Sequence, residues 1–218
     1  MEHVKIPTRI TGQKILANVS EEYARSFGLP DNHRCVGFYM CSNDDVAYLS
    51  ADDATKKARI KVIHAQTYFG GNCYAEASRT GTGYIMFSAE KIQDIKSAMS
   101  YIQDFVANQS ALYRLDGDTG LAYYAQTIAR TGSFFEEWCH VPKGMAYSYL
   151  VGAPVETGYA LDQAMKAGST KLGRFWPAPT HANSLGALLY GTESACKAAT
   201  AAFIEAVDVC SKKPMELL

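Results

Sequence analysis

The sequence reads as α/β, built from two tandem units that are each a small sheet backed by helices, and three observations say so. Apolar runs of strand length alternate with helix-length periodic stretches along the whole chain. One stretch is written twice: Gly83-Tyr84-Ile85-Met86-Phe87-Ser88-Ala89-Glu90 returns as Gly186-Ala187-Leu188-Leu189-Tyr190-Gly191-Thr192-Glu193. Ungapped through the following helix, this pairs Gly83 with Gly186, Phe87 with Tyr190, Glu90 with Glu193 and Ala98 with Ala201. Third, 218 residues divide into two domains of ordinary size, 1–108 and 109–218.

Taken in order, Arg9 to Val19 reads as extended. Ser20 is an N-cap with Glu21 and Glu22 in the first turn of a short helix, which Gly28 and Pro30 stop. Arg34 to Cys41 is an apolar strand, Ser42-Asn43-Asp44-Asp45 a polar turn, and Val46 to Leu49 extended again. A helix over Ala51 to Ala58 and a strand over Ile60 to Gln66 follow. The loop Thr67 to Thr82, with Gly70-Gly71 and Gly81, is long enough to suggest a functional segment. The first copy of the duplicated strand then runs into an acidic residue and a helix ending near Ala107, and a carboxylate there suits the positive end of the helix dipole.

Gln109 to Gly120 forms the junction, and the order repeats. Leu121 to Arg130 is extended, Gly132 to His140 replaces the short helix, and Pro142 matches Pro30. Ala146 to Val151 stands for Val36 to Cys41, Ala164 for Ala54, Lys166 for Lys56 and Leu172 for Val62. The first half's extra length falls after Gln66; the counterpart loop is Trp176 to Asn183.

A net charge of -1 and a pI near 6.5 remove the electrostatic argument for nucleic acid or an anionic membrane as partner. No apolar run approaches the roughly 20 residues that span a bilayer. Met1-Glu2-His3-Val4-Lys5 lacks the apolar core of a secretory signal. The 6 cysteines show no Cys-x-x-Cys and read as reduced, partly buried thiols in the cytosol.

Catalytic and cofactor chemistry finds little footing. Gly81-Thr82-Gly83 leads into a strand, so no helix start is aimed at a phosphate. Asp116-Gly117-Asp118 opens like a calcium loop, but Thr127 stands where the bidentate Glu belongs, so it reads as a turn. His33, His64, His140 and His181 have no metal-ligand spacing, and neighbours such as Cys139-His140 sit about 100° apart on a helix. Asp44-Asp45, by itself, reads as a solvated hairpin turn.

Four segments carry a resemblance: Ser42-Asn43-Asp44-Asp45-Val46 with Ala51-Asp52-Asp53-Ala54-Thr55-Lys56; Arg130-Thr131-Gly132-Ser133; Ala153-Pro154-Val155-Glu156; and Gly191-Thr192-Glu193-Ser194-Ala195-Cys196-Lys197-Ala198-Ala199. With the doubled Ala-x-Lys text of Ala54-Thr55-Lys56 and Ala164-Met165-Lys166, they resemble the bacterial microcompartment shell domain, in its tandem, circularly permuted, trimer-forming type and closest to the ethanolamine-utilisation branch. The resemblance implies mostly antiparallel sheets, no catalysis and no cofactor. It implies a homotrimer that forms a pseudohexagonal tile, packs edge to edge with other shell proteins in the bacterial cytoplasm, and passes small metabolites, and through a wider opening larger cofactors.

By the same resemblance Lys56 and Lys166 lie at the tile edges. Tyr68, Phe69, Gly70, Gly71, Asn72 and Cys73, with Trp176, Pro177, Thr180 and His181, belong to loops that gate a central opening. A smaller pore that holds ethanolamine corresponds to Asp44, Asp45, Thr82, Leu112 and Tyr113; Thr82 replaces an expected glutamate and Arg114 adds a cation, which weakens the case for an amine. The alternative from another class is a tandem small-molecule-binding regulatory protein.

Overall fold

A computed structural model describes residues 2–68, 81–115, 121–213 and 215. The chain forms two units, each an antiparallel sheet with helices against it. The first is built on β2 (Ile10–Leu16), β3 (Cys35–Cys41), β4 (Lys61–Tyr68) and β5 (Thr82–Ala89), in sheet order β2-β3-β5-β4. Its helices are α1 (Glu21–Ser26), α2 (Asp44–Thr55) and α3 (Ile92–Asp104), which ends in a π-helical turn over Phe105–Gln109. The second unit orders its sheet as β1 (His3–Lys5), β6 (Leu112–Leu115), β7 (Ala122–Ile128), β8 (Ala146–Gly152), β10 (Leu185–Gly191) and β9 (Lys171–Trp176). Against it lie α5 (Pro154–Ala167) and α6 (Glu193–Lys212). The short helix α4 (Ser133–Trp138) divides: Gly132–Phe135 groups with the first unit and Glu136 onward with the second. No helix among the described residues is long and apolar enough to cross a membrane.

Why β5 is apolar throughout is clear from its two faces. Ile85 and Phe87 lie with Gly37 and Tyr39 under α2 and α3, while Met86 and Tyr84 join Val36, Ala24 and Leu29 on the α1 side. A strand covered on both faces carries no alternation, and a register without alternation is easy to misplace by one. That happens here. The pairing matches Tyr39↔Ile85 to Leu150↔Ala187 and Gly37↔Phe87 to Ser148↔Leu189, since Ala187, Leu189 and Leu150 face α5 and α6. Phe87 therefore corresponds to Leu189 and not to Tyr190, and the sequence pairings of Gly83 with Gly186 and of Val36–Cys41 with Ala146–Val151 are each one residue out, Val36 matching Tyr147 and Cys41 matching Gly152. A repeated β-bulge fixes the correction: the β4–β5 ladder slips at Val62/His64, and the β9–β10 ladder slips at the matching step, with Gly173 in the place of Ile63. The pairing of Val62 with Leu172 stands.

The helix register moves too. Ala98 is buried and Ala201 is exposed, so they are not equivalent; Ile95, Ala98 and Ile102 correspond to Cys196, Ala199 and Phe203, which are buried in the same rhythm. Glu193 opens α6 behind the capping hydroxyl of Thr192, but Glu90 precedes the N-cap Lys91, so only the second copy starts on a carboxylate.

Three further expectations change. Ser42 to Asp45 is not a turn, because Asn43 caps α2 and both aspartates lie inside it. Val46 to Leu49 is helical, and the helix ends at Thr55. The junction holds the strand β6, to which β1 adds as an edge strand, with His3 opposite Leu115 and Lys5 opposite Tyr113. Asp116-Gly117-Asp118 lies outside the described residues.

Candidate functional site

The candidate site in the first unit is organised by the start of α2. Asn43 is extended, and its Oδ1 accepts the Val46 N–H at 2.8 Å, satisfying one of the helix's orphan donors. Asp44 and Asp45 follow in the first turn, where the helix dipole favours negative charge. The Asp44 N–H donates to Gly81 O at 2.9 Å, which ties the helix start to the approach of β5. Gly83 makes that approach possible: a Cβ there would lie 2.4 Å from Ala47 Cβ and 2.9 Å from Asp44 Cα.

Tyr48 is one turn on from Asp44, on the same helix face. Its hydroxyl lies 2.5 Å from Thr67 Oγ1, and Thr67 in turn donates to Asp44 Oδ2 at 2.9 Å. Tyr48 is thus the donor to Thr67, and the hydroxyl chain ends on the carboxylate. Burial, reinforced by the charges of Asp44 and Asp45 and opposed by the Thr67 hydrogen bond, pushes the Tyr48 phenol far up, so it stays a protonated donor. Asp44, Asp45, Tyr48 and Thr67 are each less than a tenth exposed. Thr82, also buried, opens β5 opposite Tyr68.

The duplication supplies a control. At the positions of Asn43, Asp44, Asp45, Tyr48 and Thr67 the second unit has Ala153, Pro154, Val155, Gly158 and Pro177. The same helix starts there on a proline at N1, with Val155 78% exposed. The fold therefore does not require the acids. A pair of buried carboxylates with converging hydroxyls is suited to holding a small cation. Among the described residues, no three His, Cys, Asp or Glu side chains gather as a metal site.

Leu112 and Tyr113 belong to β6 of the other unit, where Leu112 is buried and Tyr113 stacks on Tyr123 at 5.9 Å. Of the first gating segment, Tyr68 ends β4 and is exposed; Phe69, Gly70, Gly71, Asn72 and Cys73 lie outside the described residues. In the second, Trp176 is the last residue of β9 and packs against Tyr149 at 5.1 Å and Trp138 at 5.6 Å. The turn after it is tied internally: Thr180 Oγ1 accepts the Ser184 N–H at 3.0 Å and lies 2.7 Å from Ser184 Oγ, and Asn183 N–H reaches Thr180 O at 2.9 Å. Pro177 and His181 are exposed on it.

The two edge lysines differ. Lys56 Nζ is held by Asp52 at 3.1 Å and Asp53 at 3.8 Å, its side chain only 7% exposed. Lys166 pairs with Asp162 in the open, its side chain 67% exposed. Sequence reasoning passed over Asn43, Tyr48, Thr67 and Asp52. Asn43-Asp44-Asp45 was readable as a cap with an acidic first turn, and Tyr48 as its neighbour at i+4; the reach of Thr67 exists only in the folded sheet.

No family model matches the chain. It is 34% identical over 215 residues to the bacterial microcompartment shell protein EutL of Clostridium perfringens (strain 13), covering 99% of each. The crystal structure of ethanolamine utilization protein EutL from Leptotrichia buccalis superposes with a TM-score of 0.93 at 34% identity, covering 100% of both chains. The crystal structure of a trimeric bacterial microcompartment shell protein, PduB, shares the fold at a TM-score of 0.78 and 13% identity, over 94% of this chain and 89% of that one.

Proposed function

This chain belongs to the EutL family of bacterial microcompartment shell proteins, and from that premise we propose that it is a non-catalytic facet tile, a homotrimer that admits small metabolites through the shell. The observation that carries the reading is the duplication itself. Two equivalent units in one polypeptide, matched down to a shared β-bulge, are what a six-sided tile of three chains calls for. The tile sits in the bacterial cytoplasm, edge to edge with other shell proteins. Lys166 is the exposed edge lysine, whereas Lys56 joins an edge contact only by giving up an ion pair. The division at 1–108 and 109–218 describes the duplicated text. The family resemblance is what assigns Tyr68 to Cys73 and Trp176 to His181 to the central opening, and Asp44, Asp45, Thr82, Leu112 and Tyr113 to the small pore. The tandem regulatory reading gives way to the family.

The small pore takes a cation weakly. A unit charge pair at about 4 Å is worth roughly 4 kcal/mol at a surface-like dielectric, which corresponds to about millimolar affinity and suits a passage that must release what it binds. Thr82 offers no charge where the family resemblance expects a glutamate. Native mass spectrometry tests the assembly: a trimer that forms flat sheets on concentration supports it, and a monomer at high concentration ends it. Calorimetry with ethanolamine tests the pore, and micromolar affinity contradicts the weak-site reading.

A further inference from the structure

We infer that the face of α5 around Asp162 docks a second copy of this chain, and that the segment seated there is Val19–Tyr23 of that copy. This deepens the homotrimer reading and rests on it. The first unit shows the completed form of the contact. Asp52, wholly buried on α2, accepts the Gly132 N–H with both oxygens at 3.1 and 3.0 Å and the Phe135 N–H with Oδ1 at 3.0 Å, with Lys56 against its other side. Gly132 is a fitted position, because a Cβ there would lie 2.2 Å from both Asp52 O and Thr55 Oγ1.

Each half of this junction has a counterpart that the chain itself leaves open. Asp162 on α5 matches Asp52 on α2, in the same i,i+4 pair with a lysine, and its side chain is 53% exposed. The segment between β7 and β8 that carries Gly132 and Phe135 matches the one between β2 and β3 that carries Ser20 and Tyr23. Both lead into a six-residue helix, then a residue with positive φ (Gly28 at 63°, His140 at 56°), then a proline. Ser20, Glu21 and Glu22 are exposed. One filled junction, one open receiving face and one exposed segment per chain make a head-to-tail contact, which a second copy completes.

Two differences shape the contact. Ser20 has a side chain where Gly132 has none, and its Oγ already accepts the Tyr23 N–H at 3.2 Å. Met165, 40% exposed, stands where α2 has Thr55. The seam between chains is therefore wider than the one inside the chain, with Asp162 accepting the Ser20 N–H and leaving the helix to cap itself.

The test is a Ser20→Cys/Asp162→Cys double variant under mild oxidation, beside each single variant, with Asp162→Ala and Asp162→Asn read by native mass spectrometry. Disulfide-linked species up to a covalent trimer, from the double variant only, are expected. Asp162→Ala is expected to raise the concentration at which the assembly dissociates by about tenfold or more, the scale of a lost charge-assisted hydrogen bond, and Asp162→Asn by less. A native trimer that neither crosslinks nor loosens in Asp162→Ala overturns the docking face and leaves the homotrimer standing. A wild-type chain that stays monomeric overturns both.

Discussion

Helices α2 and α5 occupy the same place in their respective repeats and live in opposite environments. Every buried position of α5 (Thr157, Ala160, Leu161, Ala164) has a buried counterpart in α2 (Ala47, Ser50, Ala51, Ala54). Those four positions are what the sheet demands. α2 is buried beyond them at Asp44, Asp45, Val46, Tyr48, Leu49 and Asp52, where α5 has Pro154, Val155, Glu156, Gly158, Tyr159 and an exposed Asp162. The helical layer differs in the same sense. Lys57 lies over the Tyr101 ring at 5.3 Å, while Ala167 and Ala202 at the matching positions leave a groove of about 390 Å³. Comparing the copies separates residues that build the domain from residues that serve something else.

The largest effect should come from Asp52. Asp52→Ala leaves the buried Gly132 and Phe135 N–H groups without their carboxylate acceptor and takes the nearer of two carboxylates from Lys56, and is expected to cost about 3–5 kcal/mol in urea unfolding. Asp162→Ala should change the chain's own stability by less than about 1 kcal/mol. Equal losses would erase the distinction between the two helices. Next is Gly132→Ala, expected to cost about 1–3 kcal/mol through overpacking against Asp52 and Thr55. Its counterpart Ser20→Gly should cost only a few tenths of a kcal/mol, since glycine is a tolerable cap.

Asp45→Val copies the second repeat into the first. Stability should stay within about 1 kcal/mol of the parent while any cation binding at the site is lost, because a buried carboxylate kept for binding adds little to folding. A drop of more than about 2 kcal/mol would show that the acids are structural. The smallest effect belongs to His33, whose Nδ1 lies 2.8 Å from Ser88 Oγ; Ser88 has Tyr190 as its counterpart. Burial lowers its pKa, opposed by Glu90 and helped by Lys61. The unfolded chain therefore holds the extra proton below about 6.5, so this contribution is fully present above that pH and fades as pH falls toward the lower folded value. The melting temperature should decline slightly from pH 7.5 to 5.5, and His33→Asn should flatten that slope.

The tandem layout, the α/β class, the stop at Gly28-Pro30 and the equivalence of Lys56 with Lys166 were all readable, because turn chemistry and helical period are local. Register was not. β5 and β10 are apolar on both faces, so Gly83 and Gly186 aligned by composition although their side-chain directions differ by one step. The start of α2 was misread because Asn-Asp-Asp serves a turn and a helix cap equally well. At the site, Asp44 and Asp45 stood out on the line of text, but their burial did not. Tyr48, Thr67 and Asp52 acquire their partners only when β4 and the Gly132 segment arrive from elsewhere in the chain.

The strand β1 has a consequence for how the protein is made. The first unit is continuous from Thr8 to Ser110 apart from the Gly132–Phe135 insert, so almost all of it is made before any of the second unit beyond the segment that carries β1. His3 must wait for Leu115, and Asp52 for Gly132. During that interval synthesis leaves a nearly finished half with a buried acid lacking its clasp, and a leading strand with no sheet to join. A growing chain is thus most exposed to chaperones, and to wrong pairing with its neighbours on the same messenger, at its midpoint.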